Sequence, residues 1–264
     1  MSNVGYGGDI CNIGFIVGNK GVAVIDSGGS PKVGAQLRAA IRKATDLPIL
    51  YVINTHVHPD HIFGNAAFKE DHPTFVGHEK LAAAMLQRSD VYLRNQASWV
   101  GADAVGSELI PPALPITGTQ TIDLGGRSLQ LTAYPVAYTN NDLTVYDSAT
   151  ATLWTGDLLF AERTPSIDGD LKSWLQVIAQ LRSIPAVRAI PGHGPVTTDW
   201  HVALDNESRY LSTLLEDVRT AIKQGKSMEQ TIDESTQSEK GKWVLFDIIN
   251  RRNINFVYPV LEWE

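Results

Sequence analysis

The sequence predicts an α/β protein of four layers, in which two β-sheets pack face to face and helices cover their outer surfaces. Two observations support this fold class. Strand-like and helix-like blocks alternate along the 264 residues, and the second half repeats the order of the first, with hairpin strands followed by a helix and a strand. No linker, low-complexity tract or block of charge interrupts the chain, so we expect residues 1–264 to form one domain.

The first half opens with a hairpin around the turn at residues 18–21 and continues with a helix that Ser30 can cap. Its third strand is an almost wholly apolar run, which is typical of a strand buried on both faces. The predicted elements are strands 14–17 and 21–26, a helix from 30 to about 44, a strand at 48–53, a helix at 79–97 and a long loop at 98–120.

The second half begins with a hairpin around the two-residue turn Gly125-Gly126. Beyond about residue 201 we expect a helical C-terminal extension, whose last segment mixes helical and extended patterns. The predicted elements are strands 121–124, 128–133, 143–146 and 152–155, a helix at 171–181, a strand at 187–190 and a helix at 204–223.

Composition excludes several classes of partner. The 22 Lys and Arg against 29 Asp and Glu give a net charge of −7, which offers no basic surface for nucleic acid. No apolar run approaches the roughly 18 residues of a membrane span. Cys11 is the single cysteine, which excludes an intrachain disulfide and a zinc site built on paired thiolates. A small-molecule substrate is the expected partner, and the sequence does not set an oligomeric state.

The strongest chemical signal is the run His56-x-His58-x-Asp60-His61, directly after the buried strand at 48–53. His56 and His58 are two residues apart in an extended segment, so their imidazoles project to one side. Pro59 is suited to the first turn of a helix, which would carry Asp60 and His61. Two pairs of ligands can then face two adjacent points, which suits a pair of metal ions.

Imidazole and carboxylate ligands without thiolate favour zinc, with iron or manganese as possible substitutes. Each zinc ion needs about four ligands, so the rest of the chain must supply more. Asp157 follows a strand and a glycine, and His193 lies between glycines after another strand. Either residue alone is most often an ordinary loop residue, but the histidine cluster makes both candidate ligands.

Several motifs resemble the metallo-β-lactamase superfamily along nearly the whole chain. They are the opening Gly-Asn-Lys-Gly-Val-Ala-Val-Ile-Asp-Ser-Gly-Gly, the histidine run, Thr-Gly-Asp157 and Gly-His193-Gly. Within it the chain is most similar to the quinoprotein relay system zinc metallohydrolases, including homologues associated with sulfur oxidation. That likeness is carried by the strings at 65–68, 76–78, 252–253 and 261–264.

The resemblance implies an αββα sandwich with the metals at one edge of the sheets, and a hydrolase activity. It also implies that Asp60 orients the nucleophile and binds the second metal. It further implies export of a precursor to the periplasm, although residues 1–9 have neither the basic nor the apolar segment of a signal peptide.

One position departs from the superfamily pattern, because Tyr138 stands where another histidine ligand is expected. The first metal would then keep His56, His58 and a share of Asp157. The second would keep all its ligands, which are Asp60, His61, His193 and the other oxygen of Asp157. A phenol is a poor ligand unless the metal lowers its pKa. We expect one or two zinc ions, with the second site fuller than the first.

Three interpretations of Tyr138 remain open: a phenolate ligand, a wall residue that binds no metal, or an engineered replacement of histidine. His78 could line the pocket, but we expect a structural or supporting role. Asp26 follows a strand and precedes Ser27-Gly28-Gly29, so it is either a turn residue or an anchor for the second ring nitrogen of a metal-binding histidine.

The leading functional hypothesis is a zinc-dependent hydrolase of a carbonyl substrate such as a thioester, lactone or β-lactam. Zinc lowers the pKa of its bound water to about 7, which provides a hydroxide nucleophile at neutral pH. A second hypothesis is a metal-binding protein without turnover, or an inactivated variant, which Tyr138 favours. A third is an iron-dependent redox enzyme of the same superfamily, which the metal content would distinguish.

Overall fold

Two five-stranded sheets form the centre of the computed structural model, which describes residues 11–264. The first sheet has the order β1-β2-β3-β4-β5, and the second has the order β10-β9-β8-β7-β6. The strands are β1 Gly14–Val17, β2 Val22–Ile25, β3 Ile49–Ile53, β4 Thr74–His78, β5 Leu114–Ile116, β6 Thr119–Asp123, β7 Ser128–Ala133, β8 Leu143–Asp147, β9 Thr152–Phe160 and β10 Arg188–His193.

Both sheets are mixed. In the first, β1 and β2 form an antiparallel hairpin, and β2 to β5 run parallel to their neighbours. In the second, β6 to β9 pair antiparallel in chain order, while β10 runs parallel to β9. Parallel pairing brings the carboxyl ends of β2, β3 and β4 to one edge of the first sheet, and those of β9 and β10 to one edge of the second.

Seven α-helices within residues 11–264 cover the sheets. They are α1 Pro31–Ala44, α2 Pro59–Ile62, α3 Leu81–Val100, α4 Leu171–Leu181, α5 Trp200–Lys223, α6 Met228–Glu234 and α7 Phe246–Leu261. As expected, Ser30 caps α1: its side chain accepts a hydrogen bond from the amide of Val33, and Pro31 occupies the first turn.

Apolar side chains divide the interior into layers. Between the sheets, residues such as Ile25 and Ile53 of the first sheet pack with Leu131 and Val145 of the second. Outside the first sheet, Val24 and Val52 pack against Leu37 and Ile41 of α1. Outside the second, Leu153 and its neighbours pack against α4, α5 and α7, where Trp174 and Tyr210 are fully buried. The four-layer αββα prediction is therefore confirmed.

Some local predictions were wrong. Residues 98–120 are not one long loop, because α3 continues to Val100, a 3-10 turn covers 101–104, β5 lies at Leu114–Ile116 and β6 begins at Thr119, which leaves residues 105–113 as the loop. Strand β4 was also missed. The end of the chain is mostly helical, in α6, a 3-10 turn and α7, and its extended part is a short stretch in which Val244 forms an isolated parallel bridge with Arg163.

No helix among the described residues combines the length and the apolar character needed to cross a membrane.

Candidate metal centre

The candidate ligands lie where the two sheets bring their parallel strand ends together. His56 and His58 follow β3, and Asp60 and His61 lie in the short helix α2 that Pro59 begins, as predicted. His193 ends β10. Asp157 lies inside β9, not after it as expected, because the strand continues through Gly156 at a φ of 54°.

Two glycines allow this convergence. A Cβ on Gly156 would lie 2.6 Å from Oγ1 of Thr55, so only glycine lets β9 approach the chain that carries the histidines. A Cβ on Gly192 would lie 1.8 Å from Oδ1 of Asp157, so β10 can pass the carboxylate only because this residue has no side chain. Both glycines were part of the sequence motifs, but their steric role requires the structure.

Four side chains converge at one point, which we call the second site: Asp60, His61, Asp157 and His193. Nε2 of His61 lies 3.2 Å from Oδ1 of Asp157 and 3.6 Å from Oδ2 of Asp60. Nε2 of His193 lies 3.4 Å from Oδ2 of Asp157 and 3.3 Å from Oδ2 of Asp60. Phe160 stacks on the His193 ring, with centroids 5.3 Å apart and planes at 10°, and helps to fix its orientation.

These distances fit a metal ion. Ligand atoms arranged tetrahedrally about 2.1 Å from a zinc ion are about 3.4 Å from one another, close to the separations at this site. Nε2 of His61 and Oδ1 of Asp157 are buried and have no hydrogen-bond partner within residues 11–264. The two atoms lie 3.2 Å from each other, so a proton on Nε2 of His61 pairs them in the absence of a metal, and a cation between them would satisfy both.

Asp26 supports His61 from behind. Its Oδ2 lies 2.7 Å from Nδ1 of His61, and the same carboxylate accepts hydrogen bonds from the amide and the hydroxyl of Thr55, each at 2.8 Å. A carboxylate only accepts hydrogen bonds, so Nδ1 of His61 carries the proton and Nε2 is left to face the second site. Of the two interpretations of Asp26, this contact favours the anchor.

A second group, the first site, consists of His56, His58 and Asp157, whose ligand atoms lie within 4.8 Å of one another. Nε2 of His56 lies 3.7 Å from Oδ2 of Asp157 and is a buried atom without a hydrogen-bond partner in the described chain. Oγ1 of Thr55 lies 3.0 Å from Nδ1 of His56. Asp157 is therefore shared between the two sites: Oδ1 faces His61, and Oδ2 lies between His56 of the first site and His193 of the second.

Hydrogen bonds occupy both ring nitrogens of His58. The hydroxyl of Tyr138 lies 2.7 Å from Nδ1, and Oδ2 of Asp168 lies 2.8 Å from Nε2. Arg88 contacts the same Asp168 oxygen at 3.2 Å. Because the carboxylate must accept, Nε2 of His58 donates to Asp168, and in the neutral ring Nδ1 then accepts from the Tyr138 hydroxyl. Tyr138 is buried against the rings of His56, Phe160 and Trp174.

The charges at the site favour the cation-binding forms of Asp157 and His56, but not of His61. Burial alone would lower the pKa of His61, and the charges of Asp60, Asp26 and Asp157 instead raise it well above the usual value, so a metal ion would have to displace a proton from this imidazole. Burial alone would raise the pKa of Asp157, but the charges of His193 and His61 hold it well below the usual value. Burial and the charge of His61 lower the pKa of His56, which keeps it a neutral imidazole. Burial and the charges of Asp157 and Asp60 raise the pKa of Tyr138, so its hydroxyl keeps its proton and can donate to His58.

Sequence reasoning missed two neighbours of the site. Asp168 has no motif around it and lies 110 residues from His58, so no local signal could have indicated it. Cys11 is buried, donates from Sγ to the backbone oxygen of Asp60 at 2.8 Å, and forms a group with Asp60 and His61. Burial raises the pKa of its thiol well above the usual value, which keeps it protonated.

His78 is not among the converging side chains. Its Nε2 lies 3.0 Å from the carbonyl oxygen of Tyr134, and its Nδ1 accepts from the amide of Lys80 at 3.0 Å. Both ring nitrogens are used by the backbone, an arrangement that agrees with the structural role expected for this residue.

Comparison with known families explains the arrangement. Residues 6–193 match the family described as the metallo-beta-lactamase superfamily, which is more than half of the chain. The chain belongs to the metallo-beta-lactamase superfamily. Its two mixed sheets and flanking helices are the αββα fold of that superfamily. The more specific likeness to the quinoprotein relay system hydrolases stays a prediction.

Several solved structures are similar to this chain, and three of them are named as β-lactamases or an alkylsulfatase. A metallo-beta-lactamase from Pontibacter korlensis is 22% identical, with a TM-score of 0.63 over 75% of this chain and 85% of that one. The stereoselective inverting sec-alkylsulfatase Pisa1 from Pseudomonas sp. is 17% identical, with a TM-score of 0.71 over 96% of this chain and 47% of that one. A metallo beta lactamase from Hirschia baltica is 17% identical, with a TM-score of 0.61 over 76% and 85%. At these identities the likeness shows the fold alone.

Proposed function

We propose that this superfamily member is a zinc-dependent hydrolase that acts on a small carbonyl substrate such as a thioester, lactone or β-lactam. The observation that carries the proposal is the second site, where two imidazole nitrogens and two carboxylates lie 3.2–3.6 Å apart around one point. Nitrogen and oxygen ligands at these separations suit zinc better than calcium or magnesium, which take six or more ligands, mostly oxygen.

Asp60, His61, Asp157 and His193 would hold the ion. When bound, zinc supplies a Lewis acid and makes a water molecule acidic enough to react at neutral pH. The protein side chains supply the rest: Asp26 keeps Nε2 of His61 directed at the site, and Phe160 fixes the plane of His193.

Asp60 is the residue proposed to orient the nucleophile. Its side chain is 25% exposed, whereas those of His61 and Asp157 are at most 1% exposed. It is therefore the carboxylate of the second site that solvent and substrate reach. A carboxylate in that position accepts a hydrogen bond from a water molecule and fixes the direction of its lone pair toward the substrate carbonyl.

The first site is proposed to be weak or empty. His58, one of its two histidines, already accepts a hydrogen bond from Tyr138 on the nitrogen that faces the site. A metal ion there would have to displace the Tyr138 hydroxyl, or bind a phenol whose pKa burial raises. Of the three interpretations of Tyr138, we favour a wall residue that donates to His58.

A direct test combines metal content with a substrate panel. The protein is loaded with zinc, and hydrolysis of a thioester, a lactone, a β-lactam and an alkyl sulfate is measured for the wild type and for Asp60→Ala. The alkyl sulfate enters the panel because of the fold likeness to Pisa1. The proposal expects turnover of at least one carbonyl substrate, lost on chelation and reduced about 100-fold or more by Asp60→Ala.

The second candidate is a metal-binding protein without turnover, and the hydrogen bond from Tyr138 to His58 is the observation that favours it. A chain that binds zinc tightly and hydrolyses none of the substrates would support this candidate. A chain that takes up iron in preference to zinc would instead favour the redox alternative.

Export to the periplasm is part of the proposal only through the likeness to the quinoprotein relay system hydrolases. Fractionation of cells that express the native gene would test it.

A further inference from the structure

Residues 164–170, which we call the 164–170 loop, form the last part of the connection between β9 and α4 and place Asp168 against His58. The contacts of this loop on one side are with the Tyr138 segment: the amide of Asp170 donates to the carbonyl oxygen of Ala137 at 2.8 Å. A Cβ on Gly169 would lie 2.3 Å from that same carbonyl oxygen, so the loop and the Tyr138 segment are in direct backbone contact. The two hydrogen-bond partners of His58, Tyr138 and Asp168, therefore lie on two pieces of chain that contact each other directly.

On its other side the loop is held by the C-terminal helix α7. The side-chain oxygen of Asn253 accepts from the amide of Ile167 at 3.0 Å, and its side-chain nitrogen donates to the carbonyl oxygen of Pro165 at 2.7 Å. Arg252 also donates to the hydroxyl of Ser166. The side-chain amide of Asn253 thus pairs with the backbone of Pro165 and of Ile167, the residues on either side of Ser166, and Ile167 directly precedes Asp168.

Asn253 is itself fixed in place. It is fully buried, and its side-chain nitrogen also donates to the hydroxyl of Tyr210 at 2.9 Å. That hydroxyl donates in turn to Asn250, one turn earlier on α7, at 2.9 Å. A buried amide with every polar contact satisfied has one orientation, so it can set the position of the loop rather than follow it.

We propose that Asn253 is a positioning residue for the candidate metal centre: through the 164–170 loop it holds Asp168 against Nε2 of His58. The helices that follow residue 193 lie outside the matched superfamily region, yet on this proposal one of them completes the surroundings of a site histidine. Without Asn253 the loop would lose its backbone hydrogen bonds at Pro165 and Ile167, and Asp168, which Arg88 also contacts, would be held less firmly against Nε2 of His58.

The effect of Asn253 on catalysis rests on the proposed function, but its effect on the His58 ring can be tested without any activity. In metal-free protein at about pH 8, a ring N–H donated to a carboxylate at 2.8 Å exchanges slowly and gives a downfield proton resonance coupled to a ring nitrogen. We expect this resonance for His58 in the wild type and its loss in Asp168→Ala, which assigns it. We expect the same loss in Asn253→Ala.

Asn250→Ala is the matched control. Asn250 lies on the same helix, is buried, and bonds the same Tyr210 hydroxyl and Thr236, but in the described chain it makes no hydrogen bond to the 164–170 loop. It should keep the His58 resonance. Zinc affinity at the second site should change less than about twofold in Asn253→Ala, because His58 is not among those four ligands.

Three results would overturn the proposal. They are retention of the resonance in Asn253→Ala, its equal loss in Asn250→Ala, and a parallel loss of zinc affinity in Asn253→Ala that marks general damage. Should Asn253→Ala not fold, Asn253→Asp replaces it, because the carboxylate keeps the acceptor for Ile167 and loses the donor to Pro165. If the resonance behaves as expected but the protein hydrolyses none of the substrates, the positioning role of Asn253 is supported and the proposed function is contradicted.

Discussion

The hydroxyl of Tyr138 lies 2.7 Å from Nδ1 of His58. The superfamily resemblance places a histidine ligand at the position of this tyrosine. The contact is partly buried, and Asp168 lies 2.8 Å from the opposite nitrogen of the same ring. The histidine therefore has no nitrogen left over for a metal unless the tyrosine moves. This relationship distinguishes the two sites, because His58 belongs only to the first.

Tyr138→His should complete the first site. A histidine there would join His56, His58 and Asp157 as a fourth ligand, so zinc bound per chain should rise from about one to about two. We expect hydrolysis of a thioester or β-lactam to rise with it. Metal content by elemental analysis and initial rates measure both effects.

Tyr138→Phe is the control for that gain, because it frees Nδ1 of His58 and supplies no ligand. It should leave zinc near one per chain. If Tyr138→His changes neither metal content nor rate, the tyrosine does not stand at a metal position.

Asp26→Asn should weaken zinc binding without unfolding the protein. The carboxylate holds Nδ1 of His61 at 2.7 Å, and loss of such a partner commonly costs 10–100-fold in metal affinity. Asparagine tolerates the left-handed backbone at this position, where φ is 50°. Zinc affinity measured by chelator competition gives the result.

Asp147→Asn is the comparison for Asp26→Asn, because Asp147 is equally buried but pairs with Arg127 at the end of β8. It should lower thermal stability and leave zinc affinity unchanged. An equal loss of affinity in both variants would mean that Asp26 acts only through general stability.

Gly192→Ala should displace the carboxylate of Asp157. The added Cβ would lie 1.8 Å from Oδ1, so either the carboxylate or β10 must shift. We expect zinc affinity to fall by about tenfold or more, since Asp157 serves both sites. The nearby Gly29→Ala should be tolerated, because its Cβ would meet only Cα of Asp60 at 3.4 Å and Cβ at 3.7 Å. Similar affinities for the two variants would contradict the proposed role of Asp157.

Glu239 should make stability depend on pH in the acid range. Burial alone would raise its pKa, but hydrogen bonds from Arg209 and Trp243 lower the pKa to about 2 from an ordinary 4.5. The unfolded chain therefore takes up this proton first as the pH falls, so the contribution of Glu239 is full above pH 4.5 and is lost as the pH falls toward 2.

The unfolding free energy of the wild type should exceed that of Glu239→Gln by on the order of 1 kcal/mol near neutral pH, because half-exposed Arg209 is partly screened by solvent. The difference should shrink between about pH 5 and pH 3. Urea unfolding at several pH values measures it, and a constant difference would rule out this account of Glu239.

Much of the site could be predicted because its chemistry is local in sequence. Four candidate ligands lie within six residues directly after β3: His56, His58, Asp60 and His61. The strand pattern of β3 places this short stretch at an edge of the sheet. Asp168 could not be predicted in this way, because an irregular loop brings it to His58 through backbone contacts with Asn253.

The errors in the fold have a similar cause. The short strands β4 and β5 pair in parallel with partners distant in sequence, and three to five residues carry too little periodicity to indicate this. Asp157 lies inside β9 because Gly156 bends the strand without ending it. A glycine before a carboxylate is equally compatible with a turn, so tertiary pairing with β10 decides between them.

The most direct measurement is anomalous scattering at the zinc edge from crystals grown with excess zinc. The account predicts a strong peak enclosed by Asp60, His61, Asp157 and His193, and a weak peak or none between His56 and His58. A map without a peak among those four side chains, or one in which they point away from each other, would contradict the metal-dependent function.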